Sequence, residues 1–378
     1  MLPYGRQSID ESDIEAVAQV LRGDWLTTGP AVAAFERDVA DVAGVPTPAV
    51  AVTSGTAALH VAYAAAGVGP GDQVITTPLT FLATATCAAI LGAEIVFADV
   101  SPDTGNLDPA SVADKITDRT KVVAGVDYGG HPIDAPGLRE VIGDRDILLL
   151  EDAAHSVGGS LDGTPVGSLA DLTTFSFFPT KNLTTAEGGA VVGLDPEVVA
   201  RARTFKGIGM VREPDQLRVK DEGAWWYEMP ELGLNYRLPD VLAALGSNQM
   251  KRLARFKERR QAITDRYNEG LAGLDELILP TRRPGAEPVW HLYPLRIRDG
   301  RRRALFDHLR ASGIGVQVNY IPVYWQPWFA DRGYERGLCP VAETYYEGEI
   351  SLPMYPDLTD QQVDQVIGLI RDFVTHQH

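Results

Sequence analysis

Cysteine is almost missing. The 378-residue chain has two, Cys87 and Cys339, far apart and in no CxxC pattern. That excludes a disulfide framework and offers no structural zinc signature, so both read as packing residues and no metal site is expected. Basic excess is also lacking. Asp and Glu number 51 against 34 Lys and Arg, a net charge of -17, which argues against nucleic acid as the main partner because such binders carry a basic footprint. Small anions need only local donors and stay open. No uncharged apolar run approaches the ~20 residues of a membrane span, and MLPYGRQSID has no apolar signal core. A cytoplasmic protein without a membrane partner is the expectation. Repeats and low-complexity tracts are absent as well. What remains is ordinary for a soluble globular chain, 45% hydrophobic and 22% charged, with length enough for two domains.

Two helices are predicted first. Ser8 and Glu11 have capping-box spacing, Ile14, Val17, Ala18 and Leu21 fall on one face, and Gly23 ends the segment. The second opens at Pro30, carries Phe35, Val39 and Val42 on its apolar side, and stops before Gly44. Between them lies WLTTGP, a connector whose Thr27 and Thr28 also suit the lip of a binding site. From residue 49 apolar runs alternate with helical or polar segments: 49–52, 74–76, 95–98, 122–126, 147–150, 174–178 and 190–192. Such alternation predicts an α/β domain with a mostly parallel, doubly covered sheet. A different pattern follows: a long helix over 240–267, strands at 290–297, 315–319 and 349–352, and helices at 303–310 and 360–374. Two domains are read from this, a large α/β unit over 1–239 and a smaller α+β unit over 240–378. The basic string KRLARFKERR and the triplet Arg301–Arg303 read as solvated helix faces.

Ligands in such sheets bind beyond the carboxyl ends of the strands. After the first run come Ser54, Gly55 and Thr56, opening a helix. A glycine there lets backbone approach a ligand, and the helix N-terminus offers unpaired N–H groups to a phosphate; an ordinary capped turn is the alternative. Phe81 follows the second run, and Asp152 and His155 follow the fifth. Taken singly these are a core aromatic, a helix cap and a structural histidine. Asn235 and Arg237 either cap the next helix or reach an anion. Lys181 lies between two apolar runs, in FSFFPTKNLTTAEGG. Alone it reads as a turn residue, since a free lysine amine, pKa roughly 10.4, is a poor nucleophile at neutral pH unless its surroundings lower that value.

The set is more specific than its members. A phosphate cradle, a stacking ring, a carboxylate and a lysine at one sheet edge are what pyridoxal 5'-phosphate requires. Lysine binds its carbonyl, and the carboxylate keeps the pyridine nitrogen protonated so that the ring acts as an electron sink.

The segments SGTAAL, TTPLTF, EDAAHSVGG, FSFFPTKNLTTAEGGAVV, ELGLNYRLPDVLAALG and ISLPMY span nearly the whole chain. In that order they resemble the DegT/DnrJ/StrS sugar aminotransferases, which have the aspartate-aminotransferase fold (fold type I). The resemblance implies a mostly parallel seven-stranded sheet domain with a smaller C-terminal α+β domain. It also implies that Lys181 is the catalytic lysine, that Asp152 pairs with the pyridine nitrogen, that Phe81 stacks on the ring, and that His155 lies near the ring hydroxyl. Ser54, Gly55, Thr56 and Ser176 would hold the phosphate, with Asn235 reaching it from the partner subunit of a homodimer. Thr27, Thr28, Tyr128, Arg237, Asn319 and Tyr320 are the candidate substrate contacts.

The implied reaction moves an amino group from L-glutamate to a keto carbon of a nucleotide-linked deoxysugar. VDYGG and TTAEGGAVV resemble the pseudaminic-acid branch, which aminates C4 of a UDP-linked 4-keto-6-deoxy-N-acetylhexosamine. Asn319 and Ile208 stand where many relatives have histidine, which bears on the sugar and not on the cofactor. A sugar dehydratase of this kind would carry histidine in place of Lys181. The competing readings are an aminotransferase for a keto-cyclitol and a non-catalytic cofactor-binding regulator. The regulator would need a DNA-reading appendage and a basic charge.

Overall fold

The computed structural model describes residues 1–376. All seven apolar runs form strands of one sheet: β1 (Val50–Val52), β2 (Gln73–Thr76), β3 (Glu94–Phe97), β4 (Thr120–Val126), β5 (Leu148–Asp152), β6 (Leu172–Ser176) and β7 (Gly189–Gly193). Their spatial order is β1-β7-β6-β5-β4-β2-β3. Only β7 runs against the rest, pairing antiparallel with β1 and β6. Helices cover both faces, which explains why these strands are apolar throughout rather than alternating. Val122, Val123 and Ala124 of β4 are fully inaccessible, and burying each valine contributes roughly 1.5–3 kcal/mol. The fold is the α/β architecture expected of fold type I.

Because β1, β2, β4, β5 and β6 point the same way, their carboxyl ends share one edge. The run at 174–178 does not stay a strand throughout. The strand ends at Ser176, Phe177 is buried, and Phe178 is exposed at the edge. Conversely β5 extends to Asp152, so this carboxylate belongs to the strand itself.

Several local expectations are corrected. Ser8 does not cap the first helix, α1 (Glu11–Arg22). Asp10 does, with Asp13 completing a capping box, and Ser8 bonds Asp357 instead. The face of α1 turned inward is polar. Asp13 is buried and receives Asn248 and Gln249 side-chain N–H groups at 2.8 and 2.7 Å, while Ile14 and Leu21 stay exposed. A buried carboxylate needs such donors and a cation, here Arg252. The second helix, α2 (Pro30–Ala43), matches its prediction, with Gly44 in the left-handed conformation at φ 69°. The long helix over 240–267 is two, Asp240–Met250 and Leu253–Leu271, broken at Lys251 and Arg252. The segment 315–319 forms no regular strand; it contributes one isolated pairing, Gln317 to Ser351.

A second core gathers Ile263, Tyr267, Leu295, Leu305, Ile350 and Ile370. It packs on a three-stranded antiparallel sheet of Leu277–Ile278, Tyr293–Ile297 and Glu349–Leu352. Ala243, earlier in the chain, packs into the core of the large sheet instead. No helix among the described residues is long and apolar enough to cross a membrane.

Candidate active site

The shared strand edge opens into a cavity of about 710 Å³. Ser54, Gly55, Thr56, Phe81, Asp152, His155, Ser176 and Lys181 all line it, together with Asn319 and Tyr320. Residues as far apart in sequence as Tyr4 and Gln326 thus meet at one surface.

At its floor β1 turns into α3 (Gly55–Ala65). Ser54 is the N-cap, its hydroxyl accepting the Ala57 N–H at 3.0 Å. The first-turn N–H groups of Gly55 and Thr56 have no partner inside a helix and are free for an anion. Gly55 is required by space as well. A Cβ there would stand 2.7 Å from Ser176 Cβ and 2.8 Å from its hydroxyl. Gly55→Ala is therefore expected to push Ser176 out of the cradle and weaken cofactor affinity about tenfold or more, ~1.4 kcal/mol. Titrating the apoprotein with pyridoxal phosphate measures this.

Asp152 is held ionisable by donors. Thr84 Oγ1 donates to Oδ2 at 2.7 Å and the Ala154 N–H to Oδ1 at 3.2 Å, while Thr84 is itself fixed by Thr80 at 2.8 Å. Burial raises the Asp152 carboxyl, and Thr84, the Lys181 charge and the Ala154 N–H pull it back. Lys181 is shifted the other way. Burial pushes its amine down to about 8, against the opposing pull of Asp152. A carboxylate that needs a cation thus faces a lysine that gives up its proton far more readily than an ordinary one.

His155 is kept neutral, well below its ordinary value, chiefly by burial and then by the Lys181 and Arg260 charges. Its Nε2 meets the Tyr320 hydroxyl at 3.2 Å, and the His291 ring lies 4.3 Å away. Phe81 is 57% exposed at the mouth, edge-on to Tyr320 at 6.4 Å. A planar group would find an open aromatic face there. Buried His155 Nδ1 and Thr174 Oγ1 line the same cavity without a hydrogen-bond partner. Two orphaned polar atoms, a lysine with a lowered pKa, a donor-held carboxylate and a glycine cradle fit a polar aromatic phosphate.

The comparisons agree with that geometry. Residues 7–371 match the DegT/DnrJ/EryC1/StrS aminotransferase family. The chain belongs to this family. It is 38% identical to the spore coat polysaccharide biosynthesis protein SpsC of Bacillus subtilis, over 99% of this chain and 97% of that one. It is 35% identical to the UDP-4-amino-4,6-dideoxy-N-acetyl-beta-L-altrosamine transaminase of Campylobacter jejuni, over 95% and 93%. Among solved structures, a putative sugar aminotransferase of Streptococcus pneumoniae in its pyridoxamine-phosphate form superposes with TM-score 0.93 at 29% identity, covering 99% of both chains. This family member is therefore a pyridoxal-phosphate-dependent aminotransferase. Membership in an enzyme family removes the regulator reading.

Five predicted site residues lie outside the cavity lining of this aminotransferase. Thr27 and Thr28 are exposed on the connector, where Thr27 pairs with Pro239. Asn235 is exposed and its backbone pairs with Gly207; Arg237 pairs with Val52. Tyr128 is corrected most clearly. It is 1% exposed, and its hydroxyl donates to the Asn319 carbonyl, so it props the wall from behind rather than meeting a substrate. Asn319 lines the cavity, yet its side-chain N–H groups are committed to Tyr4 at 2.8 Å and Ser351 at 3.1 Å. Sequence reading missed Thr84, Tyr4, Thr174 and His291. Thr84 alone left a signal, three residues beyond Phe81 at the start of a helix. The others depend on which segments the tertiary fold brings together.

Proposed function

We propose that this aminotransferase takes an amino group from L-glutamate and delivers it to the keto carbon, C4, of a UDP-linked 4-keto-6-deoxy-N-acetylhexosamine. The observation that carries this reading is the character of the cavity. Beside Lys181, Asp152 and Glu187 its wall carries uncharged polar side chains, Thr180, Gln317 and Gln326 among them, set between apolar residues such as Leu59 and Ile321. Such a wall suits the hydroxyl and amide groups of a sugar. Relatedness to a UDP-aminodideoxysugar transaminase over nearly the full chain supports the same substrate class.

When bound, the cofactor supplies a protonated pyridine ring that draws electrons from the reacting carbon. The protein supplies the rest. Asp152 would keep the proton on the ring nitrogen, the Ser54–Thr56 turn and Ser176 would hold the phosphate, and Phe81 would cover the ring. Lys181, in its neutral form, would take a proton from one carbon and return it to another as general base and acid.

Among the described residues that line the cavity, Lys181 is the one lysine or arginine. A diphosphate and a dicarboxylate donor both need further cations or donors. The proposed source is a second copy of this chain. Trp225, Met229 and Leu232 are 73%, 56% and 80% exposed, an apolar band that a partner would cover. In such a homodimer Asn235 serves the partner's phosphate cradle.

The test is a single turnover. Protein loaded with pyridoxamine phosphate is mixed with a UDP-4-keto-hexose, a dTDP-keto-hexose or a keto-inositol, and the cofactor absorbance is followed. Return of the pyridoxal-phosphate spectrum is expected with the UDP sugar. Return with keto-inositol alone would overturn the sugar assignment.

A further inference from the structure

Beneath Asp152, on the opposite face of the sheet, lie two carboxyl groups that the mechanism above does not use. Glu151 precedes Asp152 on β5, and Asp127 follows β4; both are completely buried. Backbone pairing brings them together, because Gly125 is level with Glu151, Val126 is level with Asp152, and the Asp127 N–H donates to the Asp152 carbonyl at 3.1 Å.

The donors around the two acids can be counted. Glu151 Oε2 accepts the Thr173 hydroxyl at 3.0 Å and the Gly167 N–H at 3.2 Å. Asp127 Oδ1 accepts the Ile133 N–H at 2.8 Å, and its Oδ2 accepts the Ser156 hydroxyl. Glu151 Oε1 is buried with no donor at all, and the register puts Asp127 two residues beyond the Gly125 that is level with Glu151, so the two carboxyl groups share one face of the sheet and act on each other. Two carboxylate oxygens cannot hydrogen-bond unless one carries a proton. Apart from the neutral donors Ser156, Ile133, Gly167 and Thr173, the groups acting on the pair are each other and Asp152, all acidic, with no lysine or arginine among them. Two charges in contact at a buried site without a cation are too costly to keep.

We propose that Asp127 and Glu151 share one proton as a buried carboxyl–carboxylate pair, a positioning element that fixes the end of β5 and so the Asp152 carboxylate. The pair carries one negative charge instead of two, which spares Asp152 a second repulsion. It also ties β4, β5 and β6 together directly behind the residue that must face the cofactor's nitrogen. Burial first, and then mutual repulsion, pushes Asp127 well above the usual carboxylate range, and burial raises Glu151 as well.

Infrared difference spectra of the apoprotein at pH 7 test the shared proton. A protonated-carboxyl band is expected to vanish in both Asp127→Asn and Glu151→Gln, because each new amide supplies the hydrogen that the proton supplied. The lost band must be distinct from the one that Glu349→Gln removes, since Glu349 is a separate buried acid, pushed up to about 8 and so itself protonated at pH 7. The pH dependence of folding gives a second reading. A raised carboxyl makes its contribution at low pH and loses it as pH rises through its folded value, by up to about tenfold in the folding equilibrium per pH unit. Asp127→Asn is expected to remove that slope. For positioning, Glu151→Leu should weaken pyridoxal phosphate binding about tenfold or more while Glu151→Gln stays within about threefold of wild type.

Both isosteric variants retaining the band would overturn the shared proton. Wild-type affinity in Glu151→Leu would overturn the positioning role. If the leucine variant does not fold, the two amide variants and wild type carrying carbon-13 aspartate, in which the band shifts when the proton sits on an aspartate, still decide the first point. None of these readouts uses a sugar, so they succeed or fail independently of the proposed substrate.

Discussion

Replacing Lys181 with alanine is expected to lower transamination by about 10³-fold or more, the range lost when a positioned proton-transfer group is removed. The expectation rests on two properties of this side chain. It lines the same cavity as Asp152 and the Ser54–Thr56 cradle, and burial holds its amine down to about 8. With that value roughly a tenth of the amine is neutral at pH 7, against well under a thousandth for an ordinary lysine. Only the neutral amine attacks a carbonyl or accepts a proton. Steady-state rates measure the loss, and intact mass after borohydride reduction should show the cofactor retained covalently by wild type and not by the variant. The same property sets a pH dependence. Capture of pyridoxal phosphate by the apoprotein should quicken as pH rises and level off above about 8. A rate still climbing at pH 10 would mean that the cavity does not depress the amine. Full turnover in Lys181→Ala would remove this residue from the chemistry altogether.

Glu36→Ala is expected to destabilise the apoprotein by about 3–5 kcal/mol, the cost of breaking a buried pair from one side. Glu36 lies on α2 and is 5% exposed. Its Oε1 accepts Lys206 Nζ at 2.7 Å and the Ala51 N–H at 2.9 Å, and its Oε2 accepts an Arg203 guanidinium N–H at 2.7 Å. One carboxylate therefore joins α2, β1 and the helix Pro196–Lys206. Alanine would strand the buried Lys206 ammonium beside the Ala51 carbonyl alone. A urea unfolding curve measures the effect, and the double change Glu36→Leu with Lys206→Met should cost much less because no buried charge is left behind, Arg203 being open to solvent.

The two partners are shifted in ways that have different consequences. Burial raises the Glu36 carboxyl, but Lys206 and Arg203 outweigh it and hold it below the usual range. Burial pulls Lys206 down despite Glu36 beside it. The intact network thus contributes modestly, and its weight appears when one half is removed. The depressed carboxylate contributes above its unfolded pKa and loses that contribution as pH falls through the folded value, so the Glu36→Ala penalty should shrink in acid.

Much of this molecule is legible without coordinates because strands and their ends are local. An apolar run bounded by turn residues becomes a strand wherever it lands, and Gly55, Asp152 and Lys181 sit at strand ends by their position in the chain. Local pattern fails where a partner outside the segment decides. Ile14 and Leu21 form a good apolar face on α1, yet Asp13 is the buried residue, because Arg252, Asn248 and Gln249 arrive from another part of the chain. The same holds at 315–319, where β-like sequence meets one pairing partner and forms no ladder. Tyr128 had no mark to separate a substrate contact from a buried prop, since both are aromatic residues after a strand.

By itself the sequence determined the seven strands, the helix-capped phosphate turn, the lysine and carboxylate of the site, and the family to which they belong. Each is written within a short segment whose backbone preference is set by its own residues. Tertiary structure alone decided that Thr84 holds Asp152, that His291 lies against His155, that Asn319 spends its donors on Tyr4 and Ser351, and that Asp127 meets Glu151. Those contacts join segments from 24 to 315 residues apart. The last exists because the order of parallel strands places one strand end beside another, and the others because distant segments are packed around that edge.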